Sequence, residues 1–194
     1  MRRRILEGIV TTVNDDGSTN ISPMGPIVDE QVSKLTLRPF QTSTTYRNLK
    51  RTGQGVLHVV DDVELLARAA VGKIDAPLIS PGDSGTQGGR RILADACRWY
   101  AFDVDELADQ EERTTIHCSV VDQGRLRDFF GFNRAKHAVV EAAILATRVG
   151  ILDDEKIHRE MVALEVMVEK TGGDAEHRAF EFLRTYVADR IGVE

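Results

Sequence analysis

Residues 5–13, ILEGIVTTV, alternate between two faces, with Ile5, Glu7, Ile9, Thr11 and Val13 on one and Leu6, Gly8, Val10 and Thr12 on the other. That is the period of a β-strand. The NDDG at 14–17 has the Asn/Asp/Gly chemistry of a hairpin turn, so STNIS is read as the return strand. Pro23 interrupts it, and proline has no N–H to give to a ladder. SPMGP at 22–26 therefore marks a strand that leaves its sheet or presents a free edge, where a ligand could approach backbone. SKLTLR at 33–38 predicts a third strand. Tyr46 and Leu49 then share one face of a helix of barely two turns, with Gly53 where that helix should stop. GVLHVV at 55–60 is β-rich, and DDVELLARAAVG at 61–72 predicts a second short helix, with Asp61 and Glu64 in capping-box spacing.

Residues 73–91 are rich in glycine and proline and show no period, which predicts a long loop of the functional or mobile kind. Two strand-like runs follow, RILADACRWYAFDVDEL and RTTIHCSVVDQG, separated by an acidic connection. They are placed to complete a barrel begun by the first hairpin. From Gly131 the pattern becomes helical. NRAKHAVVEAAILATRVG is Ala-rich, apolar nearly all round and capped by Asn133, so it should be largely buried. DDEKIHREMVALEVMVEKTGG opens on acids and closes on Lys170 and a glycine pair, in keeping with the helix dipole. DAEHRAFEFLRTYVADRIG is amphipathic, with Phe180, Leu183 and Val187 at helical spacing. The chain thus divides into a strand-rich region over 1–128 and a helical region over 129–194.

With 194 residues, 42% of them apolar, the chain can build a core without staples. Net charge is −6 and the basic residues are scattered among acids, which disfavours nucleic acid as the main partner. No run approaches the ~20 apolar residues that span a bilayer. The basic MRRR start leads into an alternating strand, unlike the apolar block of a signal peptide, so a cytoplasmic protein without a membrane partner is expected. Cys97 and Cys118 are far apart and suggest no disulfide framework or zinc site. His58, His117, His137, His158 and His177 show neither HxH nor HExxH spacing, so no metal is expected. Of Trp99 and Tyr100, neighbours in a strand, one should pack in the core and the other face an interface.

The chemistry concentrates in QTSTTYRN, residues 41–48. Ser43 or Thr44 suffices to cap the helix that follows, and the run holds more hydroxyls than one cap needs. A phosphomonoester needs several donors converging on its oxygens, which Gln41, Thr42, Ser43, Thr44 and Thr45, the positive end of the helix and Arg47 one turn on could supply. Neither the P-loop nor the Rossmann pattern occurs; SGTQGG at 84–89 has the glycines without either spacing.

The order of EGIVTTVNDDGSTNISPMGP and LRPFQTSTTYRNLKRTGQGVLHVVDD resembles the split-barrel fold of flavin reductases and pyridoxamine-phosphate-oxidase-like proteins. RDFFGFNRAKHAVVEAAILATR narrows the resemblance to the family called domain of unknown function 447, over essentially the whole chain. The resemblance implies an α+β protein, a split β-barrel with a helical C-terminal region, that binds FMN as a homodimer. By position, Ser22, Pro23 and Met24 would lie beside the flavin ring. Gln41, Thr42, Ser43, Thr44 and Thr45 would form the phosphate site, and Asn48 would buttress the helix or reach the ribityl chain. Asn133, Arg134 and His137 would approach from the helical side, against a plainer reading in which Asn133 caps and the other two make surface or interface pairs. The implied activity is that of a flavin-dependent oxidoreductase of flavin reductase type with NADH or NADPH as reductant, the 73–91 loop forming a lid. The alternative is a non-catalytic FMN-binding or carrier protein acting through a helical dimer interface.

Overall fold

The computed structural model describes residues 4–72, 74–79 and 89–192. It divides into two compact units, Met1–Val60 with Asp75–Phe129, and Asp61–Ile74 with Phe130–Glu194.

The first unit is built on one antiparallel sheet. Its strands are β1 Arg4–Ile5, β2 Gly8–Val13, β3 Thr19–Met24, β4 Ile27–Val28, β5 Lys34–Leu37, β6 Gln54–Val59, β9 Arg98–Ala108 and β10 Thr115–Arg125, in the order β1-β4-β5-β10-β9-β6-β2-β3. A separate small hairpin pairs β7 Leu78–Ile79 with β8 Ile92–Leu93. The predicted first strand is thus broken: β1 pairs with β4 at one end of the sheet, while β2 pairs with β3 and β6 near the other. Only Leu6 and Glu7 join them, so the sheet must curl until its two ends meet on one stretch of chain. Register shifts at His117/Cys118 and Val120/Asp122 sharpen the bend between β9 and β10. The result is the expected split barrel.

Alternation along the strands fills its interior with Val10, Leu35, Leu37, Leu57, Tyr100, Phe102, Ile116 and Cys118, closed at one end by Tyr46 and Leu49 of helix α1, Thr44–Thr52. Trp99 points to the other face and is covered with Val56 and Ala101 by Ile92 of β8, so both Trp99 and Tyr100 are buried within this unit. His117 is exposed and Cys118 buried, as their adjacent strand positions require. The strand carrying Pro23 does not leave the sheet at that point. It runs through the proline to Met24 as the edge strand β3.

The second unit packs helices α2 Val63–Val71, α3 Arg134–Ala146, α4 Asp154–Thr171 and α5 Asp174–Ile191 around Leu66, Ala67, Ala138, Val139, Ala142, Ile157, Phe180 and Leu183. The alanines of α3 are buried as its apolar circumference predicts. Helix α2, assigned from sequence to the strand-rich region 1–128, belongs to this unit instead. Its cap is also one residue later than expected: Asp62, not Asp61, accepts from the N–H of Leu65 at 3.0 Å. Among the described residues no helix is long and apolar enough to cross a membrane. Most of the proposed lid, Lys73 and residues 80–88, lies outside the described residues.

Candidate functional site

The hydroxyl-rich turn leaves β5 and is held from below by the β9–β10 connection. Thr114 N–H donates to Pro39 O, Gln41 N–H donates to Glu112 O and Gln41 Nε2 donates to both Asp109 O and Glu111 O, all at 2.8–2.9 Å. Gln41 was expected to donate to a phosphate, but its backbone and side-chain donors are already committed to this anchor. Asp109 extends the anchor by accepting from Tyr46 Oη at 2.7 Å and from Lys50 Nζ at 2.8 Å. Those bonds hold its carboxyl below the usual aspartate range, and the same carboxylate raises Lys50.

Ser43 is the N-cap of α1: its Oγ accepts from Tyr46 N–H at 3.2 Å and its own N–H donates to Phe40 O. At the other end Gly53 takes φ 66°, the left-handed turn that returns its N–H to Leu49 O. Arg47 folds back over the turn, its guanidinium donating to Thr42 O and to Thr44 Oγ1 at 3.2 Å each. Among the described residues the peptide N–H groups of Thr42, Thr44 and Thr45 and the hydroxyl of Thr42 have no protein partner. Unpaired peptide donors at the positive end of a helix, with a guanidinium above them, make a cradle for an anion.

The side chains of Thr45 and Asn48 are engaged within the protein. Both side chains are buried and turned towards the β2–β3 hairpin. Thr45 Oγ1 accepts from Asn20 Nδ2 at 3.1 Å, and Asn48 Nδ2 donates to Thr12 Oγ1 at 3.0 Å and Asn14 Oδ1 at 2.8 Å. Of the two roles weighed for Asn48, its side chain occupies that of a buttress. Thr12, Asn14 and Asn20 were not singled out from sequence. Only Asn20 carried a signal, a weak one, since it shares a face of β3 with Ser22 and Met24 by simple alternation.

Ser22, Pro23 and Met24 are all half-buried on the edge strand. Asn14 N–H donates to Ser18 O, and the alternation it starts turns the peptide groups of Ser22 and Met24 towards β2 and those of Ile21 and Pro23 towards the open edge. Pro23 has no N–H to expose there, so its carbonyl alone faces outward. The turn at 42–47 and the β3 edge are thus brought together in one unit.

Asn133, Arg134 and His137 lie in the other unit. Asn133 caps α3, accepting from Lys136 N–H and donating to Thr171 O, each at 3.0 Å. Arg134 is exposed, and exposed His137 stacks on Phe132 with ring centroids 6.1 Å apart.

The fold is similar to that of solved structures. An FMN-bound protein from Methanosarcina mazei superposes with a TM-score of 0.79 at 22% identity, over 95% of this chain and 96% of that one. A flavin reductase domain protein from Arthrobacter sp. FB24 gives 0.53 at 19% identity over 65% and 80%, and the 2-nitrobenzoate 2-nitroreductase of Pseudomonas fluorescens 0.51 at 15% over 64% and 66%. At these identities the likeness establishes the fold. No curated protein matches the chain. Residues 6–127 match the N-terminal domain, and residues 133–185 the C-terminal part, of the family described as Protein of unknown function (DUF447). The chain therefore belongs to that family in both its strand-rich and its helical portions.

Proposed function

We propose that the protein binds FMN noncovalently, acts as a homodimer and is a flavin-dependent oxidoreductase of the flavin reductase type, with NADH or NADPH as reductant. The observation that carries the reading is the cradle at the start of α1, with three unpaired peptide N–H groups, the Thr42 hydroxyl and Arg47, set beside an open strand edge. Its donors suit a phosphomonoester, and the family relative from Methanosarcina mazei binds FMN. When bound, the isoalloxazine supplies the redox chemistry as an acceptor and donor of hydride or single electrons. The chain's own residues bind and orient. Thr42, Thr44 and Thr45 would receive the phosphate through their peptide N–H groups and the Thr42 and Thr44 hydroxyls, Arg47 would balance its charge, and the Ser22–Met24 edge would lie beside the ring. Gln41 and Asn48 keep the turn rigid from either side, so little ordering remains to be done on binding.

The double variant Thr42→Ala/Thr44→Ala removes two hydroxyls, one of them a rest for Arg47, and keeps the backbone. It should weaken FMN binding roughly tenfold with an unchanged far-ultraviolet circular dichroism spectrum. Unchanged affinity would refute the phosphate-site assignment. Turnover of NADH or NADPH by the FMN-loaded protein separates a reductase from a carrier.

A further inference from the structure

We infer that Asn20 is a positioning residue for the anion cradle, acting through the hydroxyls of Thr12 and Thr45; this rests on the reading of the 42–47 turn as the FMN phosphate site. Asn20 Nδ2 donates to Thr12 Oγ1 on β2 at 3.2 Å and to Thr45 Oγ1 in the first turn of α1 at 3.1 Å. Thr12 Oγ1 takes a second amide proton, from Asn48 Nδ2 at 3.0 Å. Thr45 and Asn48 are three positions apart and so share one face of the helix, which is tied to the hairpin at both points. Thr12 and Thr45 are each 2% exposed or less, where a hydroxyl without a partner costs free energy.

The roles of Thr45 then separate. Its peptide N–H is one of the free donors of the cradle, while its side chain faces away and is pinned by Asn20. Asn20 also precedes Ser22 and Met24 on the same face of β3, so one strand carries both the tether and the open edge. The tether thereby sets the spacing between the phosphate end and the ring end of the site. Loosening it should be felt by the phosphate more than by the ring.

FMN and riboflavin share ring and ribityl chain and differ by that phosphate, so the ratio of their Kd values for the apoprotein reads the tether. The wild type should prefer FMN. Asn20→Ala should lower that preference about tenfold by weakening FMN binding, with riboflavin affected less than about twofold. Thr45→Val, which keeps the shape and loses the hydroxyl, should do the same, and Thr45→Ser should restore the wild-type ratio. If Asn20→Ala does not fold, the Thr45 pair decides. Variants that keep the wild-type ratio, or lose both flavins equally, overturn the tether while leaving the phosphate site standing. A wild type with no preference for FMN overturns both.

Discussion

At the scale of single residues, His58 combines complete burial with the use of both ring nitrogens. Nδ1 lies 3.1 Å from Ile9 O, and Nε2 accepts from Leu93 N–H at 3.1 Å, so the proton sits on Nδ1. Burial pushes its pKa down from 6.5 to about 4, against the smaller upward pull of the Ile9 carbonyl. The unfolded chain takes up this proton first as pH falls, so the contribution of neutral His58 is complete above pH 6.5 and is lost on the way down to about 4. Between pH 7 and 4.5 wild-type stability should drop more than that of His58→Asn, by on the order of 2 kcal/mol. Urea titration followed by the fluorescence of Trp99, the sole tryptophan and part of the same unit, checks this; equal losses would contradict it. The hydroxyl run at 42–45 was legible in the sequence because capping and anion binding both draw on local donors. The fate of each donor was not. Gln41 is spent on carbonyls 68 and 70 positions away, and Thr45 on an amide 25 positions away, which no local pattern reveals.

At the scale of elements, helix ends were read well where the cap is local. Ser43, Gly53, Asn133 and Asp153 act at or within one residue of the predicted ends. Helix α5 starts at Asp174, where it was read, although its N-cap Gly173 has no side chain to offer. Glu176 instead reaches back to Gly173 N–H at 2.8 Å and receives Lys136 Nζ at 2.7 Å. Burial would raise this carboxyl, but the Lys136 and Gly173 bonds together hold it below the usual glutamate range. Lys136 Nζ also donates to Asp61 O at 2.7 Å, tying α3 and α5 to the segment that enters α2. Both charged side chains are largely shielded, at 18% and 10% exposure, so Glu176→Gln removes the carboxylate that faces a shielded ammonium. Thermal unfolding of the full chain should register a loss of about 2 kcal/mol; a change below ~0.5 kcal/mol would reduce the pair to a surface contact. The break between β1 and β2 escaped the alternation pattern because the alternation continues through Leu6 and Glu7, and only strand pairing shows that the two halves serve opposite ends of the sheet.

At the scale of the whole molecule, the change from strand to helix grammar near residue 130 was visible, and the helical unit is nonetheless discontinuous in sequence. Helix α2 is short and amphipathic, and its apolar stripe does not say which core it will enter. Its partners are distant: Arg178 donates to Glu64 across 114 positions, and Leu66 and Ala67 pack in one core with Phe180 and Leu183. The first unit positions the candidate site by bringing the end of β5, the start of α1 and the β2–β3 hairpin together, and the curl of the sheet follows from β1 pairing with β4 while β2 pairs with β3 and β6. On the function proposed above, this assembly holds FMN. The most direct test is the visible absorption spectrum of the purified protein, taken before FMN is added and again after addition and removal of the excess. Flavin bands that remain with the protein are the predicted result, and a colourless protein that retains no FMN would contradict the account.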